Sequence, residues 1–231
     1  MNYEEIRDLS RVYCPQAKTN VISNSRRDLI IKEGVIDVAR LTICLPTNEK
    51  FDVVADQREY NLSTEVTRFL VIAKSGLWWH DGSNYKQLSG VTIEWLDEHI
   101  PLWRDMDSGD PIYYYQEGDT LGIYPTPDTA YTNGFWLYFG QKPLPMTDDA
   151  HYPFGYDTEI SRLSILSEAI LLYWRWKALR GVGKGGNQSI LIAKKDYVEE
   201  ISLRIKQLKQ RKDISASRKT RLKGRRISRP C

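Results

Sequence analysis

The apolar residues of this chain change their period twice, and no single layer of one secondary-structure type can bury both patterns. From Phe51 to Met146, the strings FDVVADQREYNL, VTRFLVIAK, WWHDGSNYKQL, PIYYYQEGDTLGIYP and TNGFWLYFGQK read as short strands. Turn signals punctuate them at Asp81 to Asn84 and at Glu117 and Gly118. Within the segment only Thr92 to His99 reads as helix, with Thr92 as its N-cap. Five or more closely spaced antiparallel strands imply a small sandwich or barrel.

On either side the apolar positions recur at steps of three and four. Ile6, Leu9 and Val12 predict a short helix over Tyr3 to Val12 that Pro15 ends. A second is predicted from Ser25 as N-cap, with Asp28 at N3, through Leu29, Ile30, Val35, Ile36 and Ala39 to near Pro46, although Gly34 costs it about 1 kcal/mol. After Asp157, the series Ile160, Leu163, Leu166, Ile170, Tyr173 and Lys177 predicts a helix ending at Gly181, Gly183, Gly185 and Gly186. A last one is predicted over Asn187 to Lys212, with Ile190, Lys194, Tyr197, Ile201, Ile205 and Leu208 on one face. The expected class is therefore α+β: an antiparallel helical bundle with an inserted small antiparallel β domain and an extended C-terminal tail. The expected divisions are 1–48 and 151–212 for the bundle, 49–150 for the insertion and 213–231 for the tail.

A chain of 231 residues can bury a real core, and 41% hydrophobic residues exclude a collagenous or wholly disordered protein. No run approaches the roughly 18 apolar residues of a membrane span, so no membrane partner is expected. Glu4, Glu5, Arg7 and Asp8 so near Met1 fit neither a signal nor a transit peptide, and the protein is expected to fold where it is made. Cys14, Cys44 and Cys231 have no metal-finger or disulfide-framework spacing, which fits a reducing compartment.

The charge is lopsided. Arg204 to Cys231 holds twelve Lys and Arg against the single Asp213, a net +11, which leaves residues 1–203 at −8 of the total +3. Beyond Asp213, ISASRKTRLKGRRISRPC has no apolar period and is expected to be disordered in the free protein. Three readings of this tail are open: a solvated end, a nucleic-acid arm, or a peptide that docks on an acidic protein surface.

Chemical motifs are weak. ALRGVGKG, Ala178 to Gly185, approaches a phosphate-binding loop, but Gly185 stands where a Ser or Thr would hold magnesium and a helix precedes it instead of a strand. Asp105, Asp107 and Asp110 sit around Gly109, yet the twelfth position from Asp105 is Gln116 and Pro111 interrupts any calcium loop. His80, His99 and His151 lie in separate segments, and no serine or cysteine has a catalytic context. No enzyme activity, metal or cofactor is expected.

The aromatics say more. Core packing accounts for most of them, but Trp78 and Trp79 are adjacent, as are Tyr113 to Tyr115, and consecutive strand side chains point to opposite faces. Trp78, Trp79, Tyr113 and Tyr115 are therefore candidate interface aromatics. Stacking on single-stranded nucleic acid is the rival use, opposed by the acidic body.

The order helix, helix, β insertion, helix, helix, tail, with FDVVADQREYNL opening the insertion, DPIYYYQEGDTLGIYPTPD within it and WLYFGQKPLPMTDD leading out, resembles head-to-tail adaptor proteins of tailed, short-tailed bacteriophages. The resemblance covers Met1 to Lys212 and implies a non-catalytic, dodecameric ring in the virion neck, made in the host cytoplasm. It implies as partners the portal protein, a downstream nozzle or tail-tube protein, and double-stranded DNA in transit. The tail, with Arg218, Lys219, Arg221, Lys223, Arg225, Arg226 and Arg229, becomes the expected portal-docking element. Fully extended, it would reach about 60 to 70 Å. An acidic body suits a channel that must not hold phosphate. The alternative is a nucleic-acid-binding protein with a basic C-terminal arm, and a third reading is an unrelated α+β structural module.

Overall fold

Helix α1 (Tyr3–Tyr13) opens on a reciprocal cap, in which the Asn2 side chain accepts from the Glu5 N–H and the Glu5 carboxylate accepts from the Asn2 N–H. In the computed structural model, residues 1–15, 17, 22–155, 157–161, 163–182 and 187–223 are described, with side chains for all of these except 182 and 210–223. Helix α2 (Asn24–Thr42) is capped by Ser23, whose hydroxyl accepts from the Arg26 N–H. Ser25 is thus inside the first turn, because Ser23 holds the extended backbone an N-cap requires.

The chain divides into two compact units, Met1–Cys44 with Leu144–Cys231, and Leu45–Pro143. The β segment opens earlier than 49 because its first strand starts at Pro46. It closes earlier than 150 because Tyr3 and Glu4 donate backbone hydrogen bonds to His151 and Asp149, tying that stretch to α1.

In the helical unit, α1 and α2 pack with two later helices, α5 (Ser167–Val182) and α6 (Asn187–Lys223). The helix expected soon after Asp157 starts only at Ser167. Leu163 and Leu166 are buried all the same, carried by turns in which Leu163 N–H donates to Ile160 and Leu166 N–H to Leu163, so the three-residue spacing is that of tight turns. Gly34 has a packing role: a Cβ there would stand 2.9 Å from Cδ1 of Tyr173, so its absence lets α5 approach α2. Trp174 is buried on the other side, its Nε1 donating to the Ser10 carbonyl at 2.8 Å. From α6, Ala193, Tyr197 and Ile201 complete this core, and the Tyr197 hydroxyl donates to Asp37.

Helix α6 has 37 residues and spans about 55 Å, against about 24 Å for the 16 residues of α5. It continues past Lys212 to Lys223, where extended chain is expected. No Gly or Pro stands between Asp213 and Lys223, and Lys, Arg and Ala are strong helix formers, so the missing apolar period does not stop the helix. Residues 224–231, with Arg225, Arg226 and Arg229, lie outside the described residues.

The other unit holds two four-stranded sheets. The first runs β1 (Pro46–Val53), β8 (Tyr131–Gln141), β3 (Phe69–His80) and β4 (Tyr85–Gln87), antiparallel throughout. The second runs β2 (Glu59–Asn61), β7 (Thr120–Tyr124), β6 (Tyr113–Glu117) and β5 (Ser89–Gly90), with only β5 and β6 parallel. FDVVADQREYNL splits between β1 and β2 at a turn with Asp56 in the left-handed region. Phe51, Leu77, Trp79, Phe135, Leu137 and Phe139 from the first sheet share one core with Tyr60, Leu121 and Ile123 from the second. A smaller cluster of Leu96, Trp103, Tyr115 and Tyr124 includes helix α4 (Ile93–His99), which Thr92 caps as expected; a short α3 covers Leu62–Glu65. At the expected hairpin, the Asp81 carboxylate accepts from the Ser83 and Asn84 N–H groups and pairs with Lys86, whose hydrogen bond holds that carboxyl well below its usual range.

The buried tyrosines set an alkaline limit. Burial pushes Tyr3, Tyr173 and Tyr115 up to about 12, and Tyr197 higher still, helped by its hydrogen bond to Asp37. An unfolded phenol ionises near about 10, so the folded state favours the neutral form; this stability is complete below that pH and is lost as pH rises through the folded values. The melting temperature should fall steeply between about pH 10 and 12, with phenolate absorbance appearing together with unfolding. Absorbance rising well before the melting temperature drops would show that these phenols are accessible in the folded protein.

Candidate interaction surfaces

Along the first sheet, alternate residues leave the core, and the antiparallel register aligns four of them in one row: Lys50 of β1 opposite Trp136 of β8, opposite Trp78 of β3, opposite Gln87 of β4. Both indoles are half-exposed. Tyr85 meets the Trp136 ring at 5.5 Å between centroids and Tyr138 meets it at 5.0 Å. The Lys50 ammonium stands 4.7 Å from the Tyr85 ring and 5.1 Å from the Trp136 ring.

Hydrogen bonds fix this platform from within. Trp136 Nε1 donates to Asn48 Oδ1, while Trp78 Nε1 and Gln87 Nε2 both donate to the Ser75 carbonyl, each at 3.0 Å. Ser75 reaches them because β3 shifts register between Ile72 and Leu77, with Gly76 at φ +64°. With its indole N–H groups already satisfied, the platform offers ring faces and one cation, which suits a protein partner's apolar side chains and a carboxylate.

Of the expected interface aromatics, Trp78 lies on this face. Trp79 is only 2% exposed and Tyr115 3%, so both belong to cores and, contrary to expectation, are not surface aromatics. Tyr113 is half-buried against Trp95, at 5.1 Å, away from the row. Lys50, Tyr85, Trp136 and Tyr138 lie outside that expected set; for Trp136 and Tyr138 the alternation with buried Phe135, Leu137 and Phe139 is the available signal, while Lys50 and Tyr85, on other strands, join them only through cross-strand register and ring contact.

The second surface is the C-terminal part of α6. Among the described residues its last buried side chain is Ile201, and Arg204 reaches Glu168 of α5 at 3.1 Å and also Glu200. From Lys209 to Lys223 the helix carries seven Lys and Arg against Asp213. Arg218, Lys219, Arg221 and Lys223 fall on this helical stretch.

The residues that could carry chemistry are accounted for otherwise. His80 packs on Tyr85, His99 stacks on Trp95, and His151 Nδ1 accepts from the Thr147 and Asp148 N–H groups. The loop bearing Asp105, Asp107 and Asp110 is tied down by Ser108 to Asp56 and by Gly109 N–H to Thr126. Among the described residues no three or more His, Cys, Asp or Glu are grouped to hold a metal, and no helix is long and apolar enough to cross a membrane. Gly183, Lys184 and Gly185 of the loop-like glycine segment lie outside the described residues.

A family model described as SU10 adaptor protein matches residues 1–221. No curated protein matches the chain.

Proposed function

The chain belongs to the SU10 adaptor protein family, the phage adaptor proteins, and from that premise we propose that it forms a ring of the virion neck that docks on the portal through the basic end of α6 and the residues after it. The ring is dodecameric, the helical units stand side by side around the DNA channel, and the aromatic row of the β unit receives the next tail component, a nozzle or tail-tube protein. The role is structural and involves no catalysis.

The observation that carries this reading is α6. Among the described side chains of α6 the last fully buried one is Ile201, half-buried Ile205 and Leu208 follow it, and from Lys209 to Lys223 seven Lys and Arg stand against the single Asp213, a run of like charge that repels itself. Carboxylates on a partner relieve that repulsion, and Arg218, Arg221, Arg225, Arg226 and Arg229 can each bind one bidentately. Such pairs are modest singly, so docking depends on many copies engaging together.

The test is association of the full chain with its portal ring across a salt titration. Binding should weaken steeply as salt rises, while duplex DNA binds poorly at every salt concentration. Salt-insensitive portal binding, or DNA binding with a steep salt slope and no portal binding, would contradict the proposal; the second result would favour the nucleic-acid arm.

A separate expectation concerns the platform. Replacing Trp78 and Trp136 together with Ala should cut affinity for the downstream component at least tenfold, since central aromatic anchors contribute about 2 kcal/mol or more. Ring formation on the portal should be unchanged. Full retention of downstream binding in titration calorimetry would remove the platform from the interface.

A further inference from the structure

We infer that the groove between the first turn of α2 and the last turn of α5 is a carboxylate-binding surface whose occupant is the acidic outer face of α1 from a second copy of this chain. The inference rests on the ring reading above and specifies which surfaces of neighbouring copies meet.

The groove encloses about 200 Å³ and is lined by Arg26, Ile30, Glu33, Lys177, Arg180 and Gly181. Three cations there face one carboxylate. The nearby Arg27 and Arg175 are paired with Asp28 and Asp196. Among the described residues, Arg26, Lys177, Arg180 and Glu33 make no ion pair. Lys177 is held instead by rings, its ammonium 4.6 Å from the Trp176 centroid and 5.2 Å from that of Tyr173.

Helix electrostatics explain part of this set and leave a remainder. Lys177 and Arg180 lie near the C-terminus of α5, where the macrodipole favours cations. Arg26 has the opposite setting: it lies in the first turn of α2, at the positive end of a 19-residue helix whose first turn contains no acid. A cation at that end, beside two more cations, is unfavourable in the isolated chain. A carboxylate entering the groove would relieve all three repulsions at once.

The identity of the occupant follows from charge and symmetry. Residues 1–203 carry a net −8, so the body repels nucleic acid and offers acids in excess. Identical subunits closing head to tail need two different patches that complement each other. Helix α1 supplies the second patch. Glu4 and Asp8 are exposed four residues apart, Asp8 held by an exposed 3.9 Å pair with Arg11 that a partner's cation can replace, and the face continues to Val12, which is 69% exposed, with Leu9 beside them at 37%. That face combines acids for Arg26, Lys177 and Arg180 with apolar side chains for Ile30.

The experiment uses the full chain with its portal, read by analytical ultracentrifugation and imaging. The double variant Arg26→Glu with Arg180→Glu alters exposed side chains and should keep the melting temperature, yet its yield of complete rings should fall at least tenfold. Adding Glu4→Lys and Asp8→Lys to the same chain should restore rings. In the unaltered assembly, a carbodiimide should join Lys177 to Glu4 or Asp8 of another copy, distinguished by mixing isotopically labelled and unlabelled chains. Complete rings from the double variant would overturn the inference. So would cross-links from Lys177 to portal carboxylates alone, or a variant that loses only DNA binding, which would make the occupant a phosphate. Failure of the unaltered chain to form any ring would overturn the ring reading together with this one.

Discussion

Truncation after Lys212 should leave the melting temperature within a few degrees of the full chain and abolish assembly on the portal. Among the described residues, the buried Ile201, the half-buried Ile205 and Leu208 and the tie from Arg204 to Glu168 all lie before the cut, so the truncated chain keeps these contacts. They do contain Arg218, Lys219, Arg221, Lys223, Arg225, Arg226 and Arg229, the bulk of the positive excess. Residues ordered only on docking cost about 1 to 2 kcal/mol each in backbone entropy. Those of α6 up to Lys223 are already helical, which lowers that cost and favours docking as a preformed basic helix. A truncated protein that still assembles would move docking to the helical body.

The second large effect concerns stability. Gly122→Ala should lower the melting temperature of the β unit by 15 °C or more, on the order of 3 kcal/mol for a domain of this size. Gly122 lies directly opposite Tyr115 in the β6–β7 pair, and a Cβ at Gly122 would stand 1.9 Å from Tyr115 Cζ and 2.3 Å from both Cε atoms. The ring has nowhere to retreat. It packs edge-on to Trp103 at 5.5 Å, with its hydroxyl donating to Glu59. Moving it therefore opens the cluster of Leu96, Trp103 and Tyr124. Combining Gly122→Ala with Tyr115→Ala should cost less than the sum of the two single changes, because the clash and the lost ring are one event. Additive losses, or a Gly122→Ala protein melting within a few degrees of the unaltered one, would show that the ring does not lie over the glycine.

Features set by short-range chemistry were legible in the residues themselves. Thr92 caps α4, Asp81 closes a turn and Gly118 turns β6 into β7, each through groups only a few positions away. Ser25 reads as the cap that Ser23 provides because both are serines near the same helix start, and only the backbone angles separate them. The start of α5 lies later than the periodicity predicts because tight turns bury Leu163 and Leu166 at the same spacing a helix would use. The end of α6 lies beyond the predicted Lys212 because apolar period reports packing, whereas helix formation needs only permissive residues.

The aromatic platform was half legible for a related reason. Alternation establishes that Trp78 and Trp79 face opposite ways, but which of them faces out depends on the register between strands far apart in sequence. The shift between Ile72 and Leu77 sets that register, brings Trp78 beside Trp136 and sends Trp79 into the core. Tyr113 and Tyr115 follow the same rule in the second sheet, where Tyr115 is drawn inward by the space that Gly122 leaves.

The most direct measurement is a three-dimensional image of the full-length protein assembled on its portal, at a resolution that traces helices. It should show a closed ring with the C-terminal end of α6 seated against acidic portal side chains and the Trp78 and Trp136 face turned toward the next tail component. A ring, or a single copy, held to the portal by the β unit with the end of α6 free in solvent or laid along DNA would contradict the proposed docking.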